Sequence, residues 1–188
     1  MPTSISDTVT TVRLETPRLV LEPFGLPEHI KAWCDMDMDA DVMRHIRPPS
    51  PDMESARARL AQADTAGTPI VGNWGVREKE SNIIIGRALL RWLADDRGVE
   101  IGYRLSRTCW GKGYASELAH RIVAHGFDTL NLAMICGVYQ PGNLASRRVL
   151  EKCGMSDAGT TSVHGGSAKP VMAITASDWK NGPTKTFA

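Results

Sequence analysis

The chain has 188 residues, which is enough for one domain that buries a core without metals or disulfides. Its 22 lysines and arginines nearly balance its 21 aspartates and glutamates, so the formal net charge is only +1. Nucleic-acid binding requires a basic surface, and this charge balance argues against it. No apolar run approaches the roughly 18 residues that a membrane span needs, and the polar start of the chain lacks a signal core. The sequence therefore predicts a soluble cytoplasmic protein without membrane or nucleic-acid partners.

The termini and the cysteines indicate how the chain is organised. Residues 1–10, rich in Ser and Thr, and residues 179–188 are expected to be a flexible N-terminus and a C-terminal tail. A single domain is expected between them, over 11–178. The cysteines lack the paired spacing of zinc or redox sites, so we expect buried free thiols and no metal. They are Cys34, Cys109, Cys136 and Cys153.

Start and stop signals define the helices of the first half. Pro27 opens a helical stretch through Trp33. Ser50 and Pro51 are typical of a helix start, with a capping hydroxyl followed by proline at the first helical position, and Gly67 ends that helix. Apolar, β-branched-rich runs predict the strands of this half, the last two as an antiparallel hairpin. These strands span 18–24, 69–77 and 82–93.

The segment 99–105 alternates apolar and polar residues strictly, which predicts a strand with two distinct faces. One face carries Val99, Ile101, Tyr103 and Leu105, and the other carries Glu100, Gly102 and Arg104. A long amphipathic helix follows over 115–128, with Glu117 on its polar side. The remaining elements are a strand at 134–139, a helix at 143–152 that Gly154 ends, and a strand at 171–175. This order of elements predicts an α/β domain with a mixed sheet and helices packed on it.

Two glycines, Gly111 and Gly113, lie between the strand-like segment and the long helix. Glycine tolerates positive φ, so such a turn can bring its amides close to a ligand. The helix that follows adds its first free N–H groups and the positive end of its dipole. A phosphate or pyrophosphate is the natural occupant of this site, and a tight turn without a ligand is the alternative.

Three segments in this order closely resemble the GNAT superfamily of acetyl-CoA-dependent N-acetyltransferases, and they look most like its Rim-type branch, the ribosomal-protein alanine acetyltransferases. These segments are 100–103 (EIGY), 110–117 (WGKGYASE) and 143–154 (NLASRRVLEKCG). The opening segment 14–19 is similar to the first strand of that branch. The resemblance implies the GNAT fold, with a mixed central sheet of six to seven strands, helices on both faces, and a splayed parallel pair formed by 99–105 and 134–139.

The resemblance also implies acetyl-CoA as cosubstrate and no metal. Amides from 111–116 would hold its pyrophosphate, in agreement with the glycine turn itself. Trp110 occupies a position where many GNAT proteins carry Gln or Arg. The phosphate-binding backbone amides of 111–116, here called the phosphate seat, do not depend on that side chain. The residues expected to bind the cofactor are Gly102, Tyr103, Leu105, Trp110, Gly111, Lys112, Gly113, Tyr114, Ala115, Ser116, Asn143 and Ser146.

Acetyl transfer requires a group that takes a proton from the amine and a group that polarises the thioester carbonyl. Glu100 is the candidate proton acceptor, because it lies on the strand beside the expected cofactor cleft. The alternative is a structural ion pair of Glu100 with Arg104 or another arginine. A backbone N–H from 101–104 is expected to polarise the carbonyl.

The departing thiolate must also be protonated. Many GNAT proteins use a tyrosine at the position where this chain has Leu150, so Ser146 or water would serve here. An ordinary polar position in a helix is the alternative for Ser146. Asn143 is a natural N-cap for its helix, and the resemblance adds a role in orienting the thioester end of the cofactor.

The acceptor is expected to contact the segment 33–50 and the hairpin near Trp74. His45 and Arg47 are candidates to line that cleft. Four aspartates give the segment a concentrated negative charge, which would favour a cationic amine; a solvated acidic loop is the alternative. They are Asp35, Asp37, Asp39 and Asp41.

The sequence thus predicts an N-acetyltransferase that moves an acetyl group directly onto a primary amine. A peptide or protein α-amine is favoured over a small-molecule amine. Direct transfer is expected because Cys109 and Cys136 lack the neighbouring histidine of an activated nucleophile. The alternative is a non-catalytic acyl-CoA-binding or sensor protein, and a homodimer is compatible with either.

Overall fold

The computed structural model describes residues 11–65, 69–95 and 97–182. Three expectations lie outside these ranges: the flexible N-terminus at 1–10, the helix end at Gly67, and the last part of the tail at 183–188.

The described strands are β1 (Leu14–Glu15), β2 (Leu19–Pro23), β3 (Ile70–Glu78), β4 (Ile84–Trp92), β5 (Val99–Leu105), β6 (Met134–Val138), β7 (Ser156–Thr161) and β8 (Lys169–Thr175). They form one sheet of eight strands in the order β1-β2-β3-β4-β5-β6-β8-β7. Only β5 and β6 pair in parallel, and every other neighbouring pair in the described sheet is antiparallel.

The described helices are α1 (Pro27–Met38), α2 (Ala40–Met43), α3 (Met53–Thr65), α4 (Tyr114–Asp128), α5 (Leu144–Lys152) and α6 (Ala176–Asn181). The main core packs the apolar face of β5 against α4 and α5. The guanidinium of Arg104, on the opposite face of β5, lies 5.1 Å from the ring centroid of Trp33 in α1. Helices therefore cover both faces of the sheet.

This architecture confirms the predicted α/β GNAT fold with its mixed sheet and its parallel pair. The sheet has eight strands rather than six to seven, because β7 gives no apolar alternation in the sequence. Five of its six residues are exposed, as in an edge strand that pairs through its backbone on one side only.

The helix expected to start at Ser50 begins instead at Met53. The carboxylate of Asp52 accepts a hydrogen bond from the Ser55 N–H at 2.7 Å, which is the contact of an N-cap residue. The hydroxyl of Ser50 donates to the buried Asp37 at 2.6 Å. The Ser50 hydroxyl therefore bonds to Asp37, a residue distant in sequence, instead of capping the helix as the local sequence predicts.

The expected position of Glu117 on the polar side of α4 is wrong. Its side chain is buried, because β1 and β2 cover that side of the helix, and it pairs there with Arg18. At the other end of the chain, α6 continues past residue 178, and Trp179 stacks on Phe127 with ring centroids 5.7 Å apart. The four cysteines are free and buried. In the described part of the chain, none of the helices has the length and apolar character to cross a bilayer.

Candidate active site

The parallel strands β5 and β6 separate after a short paired stretch. Their register joins only Val99 to Ile135 and Glu100 to Cys136. Beyond Glu100, β5 keeps its antiparallel pairing with β4 up to Leu105. Beyond Glu100, alternate residues of β5 therefore direct unpaired backbone groups toward the side of β6. Such an edge can pair with the amides of an extended ligand.

The glycine turn lies directly after this open edge. Gly111 has φ +77° and Gly113 has φ +81°, a region that other residues rarely adopt. Gly113 is the N-cap of α4, and no side chain caps the helix there. Within the described residues, the backbone N–H groups of 111–116 have no hydrogen-bond acceptor. A row of free amides at a helix N-terminus is a seat for an anion.

The space in front of this turn is open. A Cβ atom built on Gly111 meets no heavy atom within 4 Å, and one built on Gly113 meets only Arg18 at 3.5 Å. The turn is therefore not packed shut against the protein. A diphosphate fits the free amides by chemistry and the open space by access, so the residues present match the cofactor that the sequence implies.

Arg18 fixes the position of the turn. Its Nη1 donates to the carbonyl oxygen of Lys112 at 2.9 Å, and its Nη2 lies 2.6 Å from Glu117 Oε2. Its guanidinium also lies 4.5 Å from the ring centroid of Tyr114. Burial alone would raise the pKa of Glu117, but hydrogen bonds from Thr16 and Arg18 outweigh burial and hold the pKa below its ordinary value. The carboxylate therefore stays ionised at neutral pH and anchors the first turn of α4 to the start of β2.

Trp110 and Lys112 lie in the glycine turn and contact its neighbouring residues. The Trp110 indole Nε1–H donates to the carbonyl oxygen of Leu105 at 3.0 Å, and half of the side chain is exposed. This bond ties the turn to the end of β5. The ammonium of Lys112 lies 5.8 Å from the ring centroid of Tyr114. Ala115 and the buried Ser116 supply the next free amides of α4.

Asn143, Ser146 and Tyr103 come together across the gap between the strands. The side chain of Asn143 accepts a hydrogen bond from the Ser146 N–H at 3.1 Å, so Asn143 is the predicted N-cap of α5. The Tyr103 hydroxyl lies 3.3 Å from Ser146 Oγ. Burial raises the pKa of Tyr103 well above its ordinary value, and the hydrogen bond with Ser146 offsets only part of that rise. The phenol is therefore a neutral hydrogen-bond donor at physiological pH.

Leu150 closes the back of this gap. Its side chain is buried, and its Cδ2 lies 2.5 Å from the position that a Cβ on Gly137 would take. Glycine at 137 in β6 is thus required by the close approach of α5. No polar side chain is available at position 150, so Tyr103 and Ser146 are the hydroxyl groups that the described residues place in the gap.

Glu100 lies at the last paired position of β5 and β6 and is buried. Its Oε2 lies 3.1 Å from Arg91 Nε, and its Oε1 lies 2.9 Å from His164 Nε2. The arginine partner is Arg91, which faces Glu100 across the β4–β5 register, rather than Arg104. The structure does not give Glu100 a direct contact with Tyr103 or Ser146. His164 is a partner that the sequence analysis missed, because it lies in the loop between β7 and β8.

The acidic segment is largely neutralised by cations. Asp35 pairs with Lys31 one helical turn away. Asp37 is fully buried and bound by Ser50 and several arginines. Asp39 caps α2, and both Asp39 and Asp41 pair with Arg107. These contacts argue against a free acidic surface that would attract a cationic amine.

A cavity of about 520 Å³ lies between this segment and the loop that leads to Asn143. The segment contributes the residues 40 and 43–49, and the loop contributes 140–142. His45 and Arg47, the two candidates to line the acceptor cleft, both line this cavity. A Cβ on Gly142 would lie 3.9 Å from His45 Cε1, so the imidazole faces the loop directly. The cavity is the candidate acceptor site. Among the described residues, no group of three or more His, Cys, Asp and Glu side chains could hold a metal ion.

Comparison with known proteins agrees with this geometry. A family model described as acetyltransferase (GNAT) domain matches residues 18–156. The FsC-acetyl coenzyme A-N(2)-transacetylase of Aspergillus fumigatus is 32% identical over 160 residues, which cover 78% of this chain and 66% of that protein. An uncharacterized N-acetyltransferase, p20 of Bacillus licheniformis, is 30% identical over 149 residues, which cover 78% of this chain and 83% of that protein.

Solved structures show the same likeness. An acetyltransferase (GNAT family) from Bacillus anthracis superposes with a TM-score of 0.73 at 27% identity, covering 88% of this chain and 99% of its own. A GCN5-related N-acetyltransferase from Brucella melitensis has a TM-score of 0.76 at 19% identity, covering 93% of this chain and 83% of its own, which shows the shared fold. The family model spans most of the chain. The chain therefore belongs to the GNAT family of acetyltransferases.

Proposed function

We propose that this protein transfers the acetyl group of acetyl-CoA directly onto a primary amine, with a peptide or protein α-amine as the first acceptor class and a small-molecule amine as the second. The observation that carries the proposal is the row of free amides at 111–116 next to the open edge of β5. The open edge of β5 and the amides of 111–116 follow one another along the chain. A ligand that contains a diphosphate joined to an extended amide chain would contact both.

In this proposal the amides of 111–116 hold the diphosphate of coenzyme A, and the edge of β5 pairs with the pantetheine amides. The bound cosubstrate supplies an activated acetyl thioester. Alternate residues of 101–105 contribute the backbone groups of this open edge. A backbone N–H in this stretch is fixed in direction by the β4–β5 pairing, so it can polarise the thioester carbonyl without reorganisation.

Protons are handled by the polar side chains of the same gap. In this proposal Tyr103 and Ser146, whose hydroxyl oxygens lie 3.3 Å apart, donate the proton or hydrogen bond that the departing thiolate needs. Asn143 keeps Ser146 in place through the N-cap bond. Glu100 accepts the amine proton, directly or through water, with Arg91 and His164 as its fixed partners.

The acceptor class rests on the cavity beside Asn143. It opens to solvent through exposed residues such as Arg44 and Ile46, so an extended peptide terminus can enter it. The segment pattern at 14–19 and 143–154 supports a place in the Rim-type branch, whose acceptors are protein α-amines. The relative from Aspergillus fumigatus is named for transfer to an N2 position of FsC, and this name supports the small-molecule class.

The proposed coenzyme A site is tested by introducing a negative charge next to the backbone amides of 111–116. Gly113→Glu puts a carboxylate beside the free amides and should weaken coenzyme A binding by on the order of 100-fold, measured by calorimetry. Gly159→Glu is the matched control, because Gly159 in β7 has a similar φ of +87° and open space around it. Equal affinity of Gly113→Glu and Gly159→Glu for coenzyme A would show that the diphosphate does not bind at 111–116.

The enzymatic part is tested by following free thiol in a mixture of acetyl-CoA with peptides and small amines. Thiol release with a matching acetylated product supports the proposal. Saturable coenzyme A binding without thiol release from any acceptor would favour the non-catalytic sensor. Mass spectrometry of the product then separates the peptide class from the small-molecule class.

A further inference from the structure

Positive charge exceeds negative charge around the candidate acceptor cavity. Asp37 lies 2.9 Å from Arg47, 3.1 Å from Arg104 and 3.7 Å from Arg59. The single carboxylate of Asp37 therefore pairs with three guanidiniums. Burial lowers the pKa of Arg104, Asp37 opposes that shift, and the charges of Arg47 and Arg87 add to the lowering.

The neighbouring ion pairs do not supply the missing negative charge. Asp39 and Asp41 are shared by Arg107 and Arg44. These ion pairs and the group around Asp37 together contain five guanidiniums, from Arg44, Arg47, Arg59, Arg104 and Arg107, against the three carboxylates of Asp37, Asp39 and Asp41. An unbalanced cationic cluster of this kind is stabilised when a bound anion completes it.

Two side chains of the cavity wall carry N–H groups that can bond such an anion. Arg44 lines the cavity with its side chain 63% exposed and also pairs with Asp41. His45 is half-buried against the 140–142 loop and has no hydrogen-bond or ion-pair partner among the residues that the structure describes. None of the described lining residues is acidic, and Met43, Ile46 and Pro48 form the apolar part of the wall. A cavity of about 520 Å³ is large enough for one or two amino-acid residues.

We propose that this cavity binds an acceptor that carries a carboxylate close to its reactive amine, with Arg44 and His45 as the groups that recognise it. This inference rests on the proposed transfer to an amine and specifies its substrate class. It reverses the expectation from the sequence alone, in which the aspartate-rich segment favours a cationic acceptor. A guanidinium and an imidazole together offer directed N–H donors to the two oxygens of one carboxylate.

The test compares acceptors that differ only in one charge. The pairs are Ser-Asp-Gly-amide with Ser-Asn-Gly-amide, and β-alanine with β-alanine amide, so that both acceptor sizes are covered. We expect kcat/KM to be about tenfold higher for the acidic member, mainly through KM, since a hydrogen bond to a charged group supports about that factor. Arg44→Gln should reduce the ratio to about twofold.

Arg13→Gln is the matched control variant. Arg13 is 60% exposed and paired with one carboxylate, Glu15, as Arg44 is with Asp41, but it lies at the β1 end of the sheet. It should keep the full preference for the acidic acceptor. The same preference should appear as a tighter Kd of the acidic peptide for the protein saturated with coenzyme A, measured by calorimetry without turnover.

The outcomes separate the possible errors. Equal Kd and equal kcat/KM for the two members of each pair would overturn the inference while leaving acetyl transfer intact. Weaker acetyl-CoA binding by Arg44→Gln, with unchanged acceptor preference, would overturn it by assigning the anion to a cofactor phosphate. A charge preference in binding without thiol release from any amine would support the acidic ligand and contradict the proposed function.

Discussion

We propose that Tyr103 and Ser146 together supply the proton donor that many GNAT proteins provide with a tyrosine at the position of Leu150. Their oxygen atoms lie 3.3 Å apart, although one belongs to β5 and the other to α5. The raised pKa of Tyr103, caused by burial, keeps its proton on the phenol at neutral pH. A protonated phenol beside the gap can supply the proton that a departing thiolate takes up.

The first prediction concerns this pair. Tyr103→Phe should lower kcat by roughly 100-fold, because it removes a general acid, while the Kd for coenzyme A stays nearly unchanged. Ser146→Ala should cost less, since the phenol keeps its own proton. The double variant should be little worse than Tyr103→Phe, because the two hydroxyls act through one hydrogen bond. Fully additive losses in kcat would show that they act separately.

The second prediction concerns Glu100. If Glu100 accepts the amine proton, loss of its carboxylate should slow acetyl transfer without changing the binding of coenzyme A. Glu100→Gln should lower kcat/KM at neutral pH by roughly 100-fold, while the Kd for coenzyme A stays nearly unchanged. Glu22→Gln is the matched control, because Glu22 is likewise held by one arginine and one histidine, Arg77 and His29. A loss of kcat/KM in Glu100→Gln that is no larger than the loss in Glu22→Gln would assign Glu100 to structure alone.

At the scale of elements, one buried carboxylate of α1, Asp37, binds both the sheet and the segment before α3. Burial alone would raise the pKa of Asp37, but the hydrogen bonds from Ser50 and Arg47 and the charge of Arg104 outweigh it and hold the pKa below its ordinary value. Asp37 thus links α1 to β5 and to the segment before α3. Its side chain is fully buried, so the loss of its charge leaves the guanidiniums without a partner.

The third prediction is a pH-dependent stability difference. Asp37→Asn should lower the free energy of unfolding by about 3 kcal/mol at pH 7. Because the folded-state pKa lies below the unfolded one, this contribution is present above the unfolded pKa and is lost as pH falls through the folded pKa. Urea titrations should therefore show the difference shrinking below about pH 4. Asp35→Asn, two residues along α1 and half-exposed beside Lys31, should change stability by less than about 1 kcal/mol.

Local patterns predicted the elements whose signals lie within one stretch of sequence. The strict alternation at 99–105 gave β5, and the Asn143 cap and Gly154 gave the ends of α5. The glycine turn was predictable because the need for positive φ is a property of the residue itself. The polar edge strand β7 was not, because it pairs through backbone and has five exposed residues.

The contacts that complete the site are long-range, and a single sequence does not show them. Glu117 looks solvent-facing on a helical wheel, yet it meets Arg18 from the start of the chain. The aspartates of α1 and α2 look like an acidic surface, yet Arg104 and Arg107 arrive from β5 and the turn after it. The Tyr103–Ser146 pair likewise joins elements that are 43 residues apart. Tertiary packing therefore decides which charged side chains find a partner of opposite charge and which do not.

At the scale of the whole molecule, one ligand should connect two separate regions of backbone. The open edge of β5 and the free amides of 111–116 have no protein acceptors among the described residues. Exposed backbone of this kind exchanges its amide hydrogens quickly. A ligand that bonds to both regions slows exchange at both and stabilises the fold by mass action.

The last prediction is measured by hydrogen–deuterium exchange with and without coenzyme A. Protection should appear at 101–105 and at 111–116, and the free energy of unfolding should rise by about 2.7 kcal/mol when the ligand is at 100 times its Kd. Fragments separate the two regions: adenosine 3′,5′-bisphosphate should protect mainly 111–116, and pantetheine mainly 101–105. Protection confined to other strands, such as β2 and β3, would contradict the placement of the cofactor. If each fragment instead protected both regions equally, the turn and the strand edge would be coupled through the protein rather than through one extended ligand.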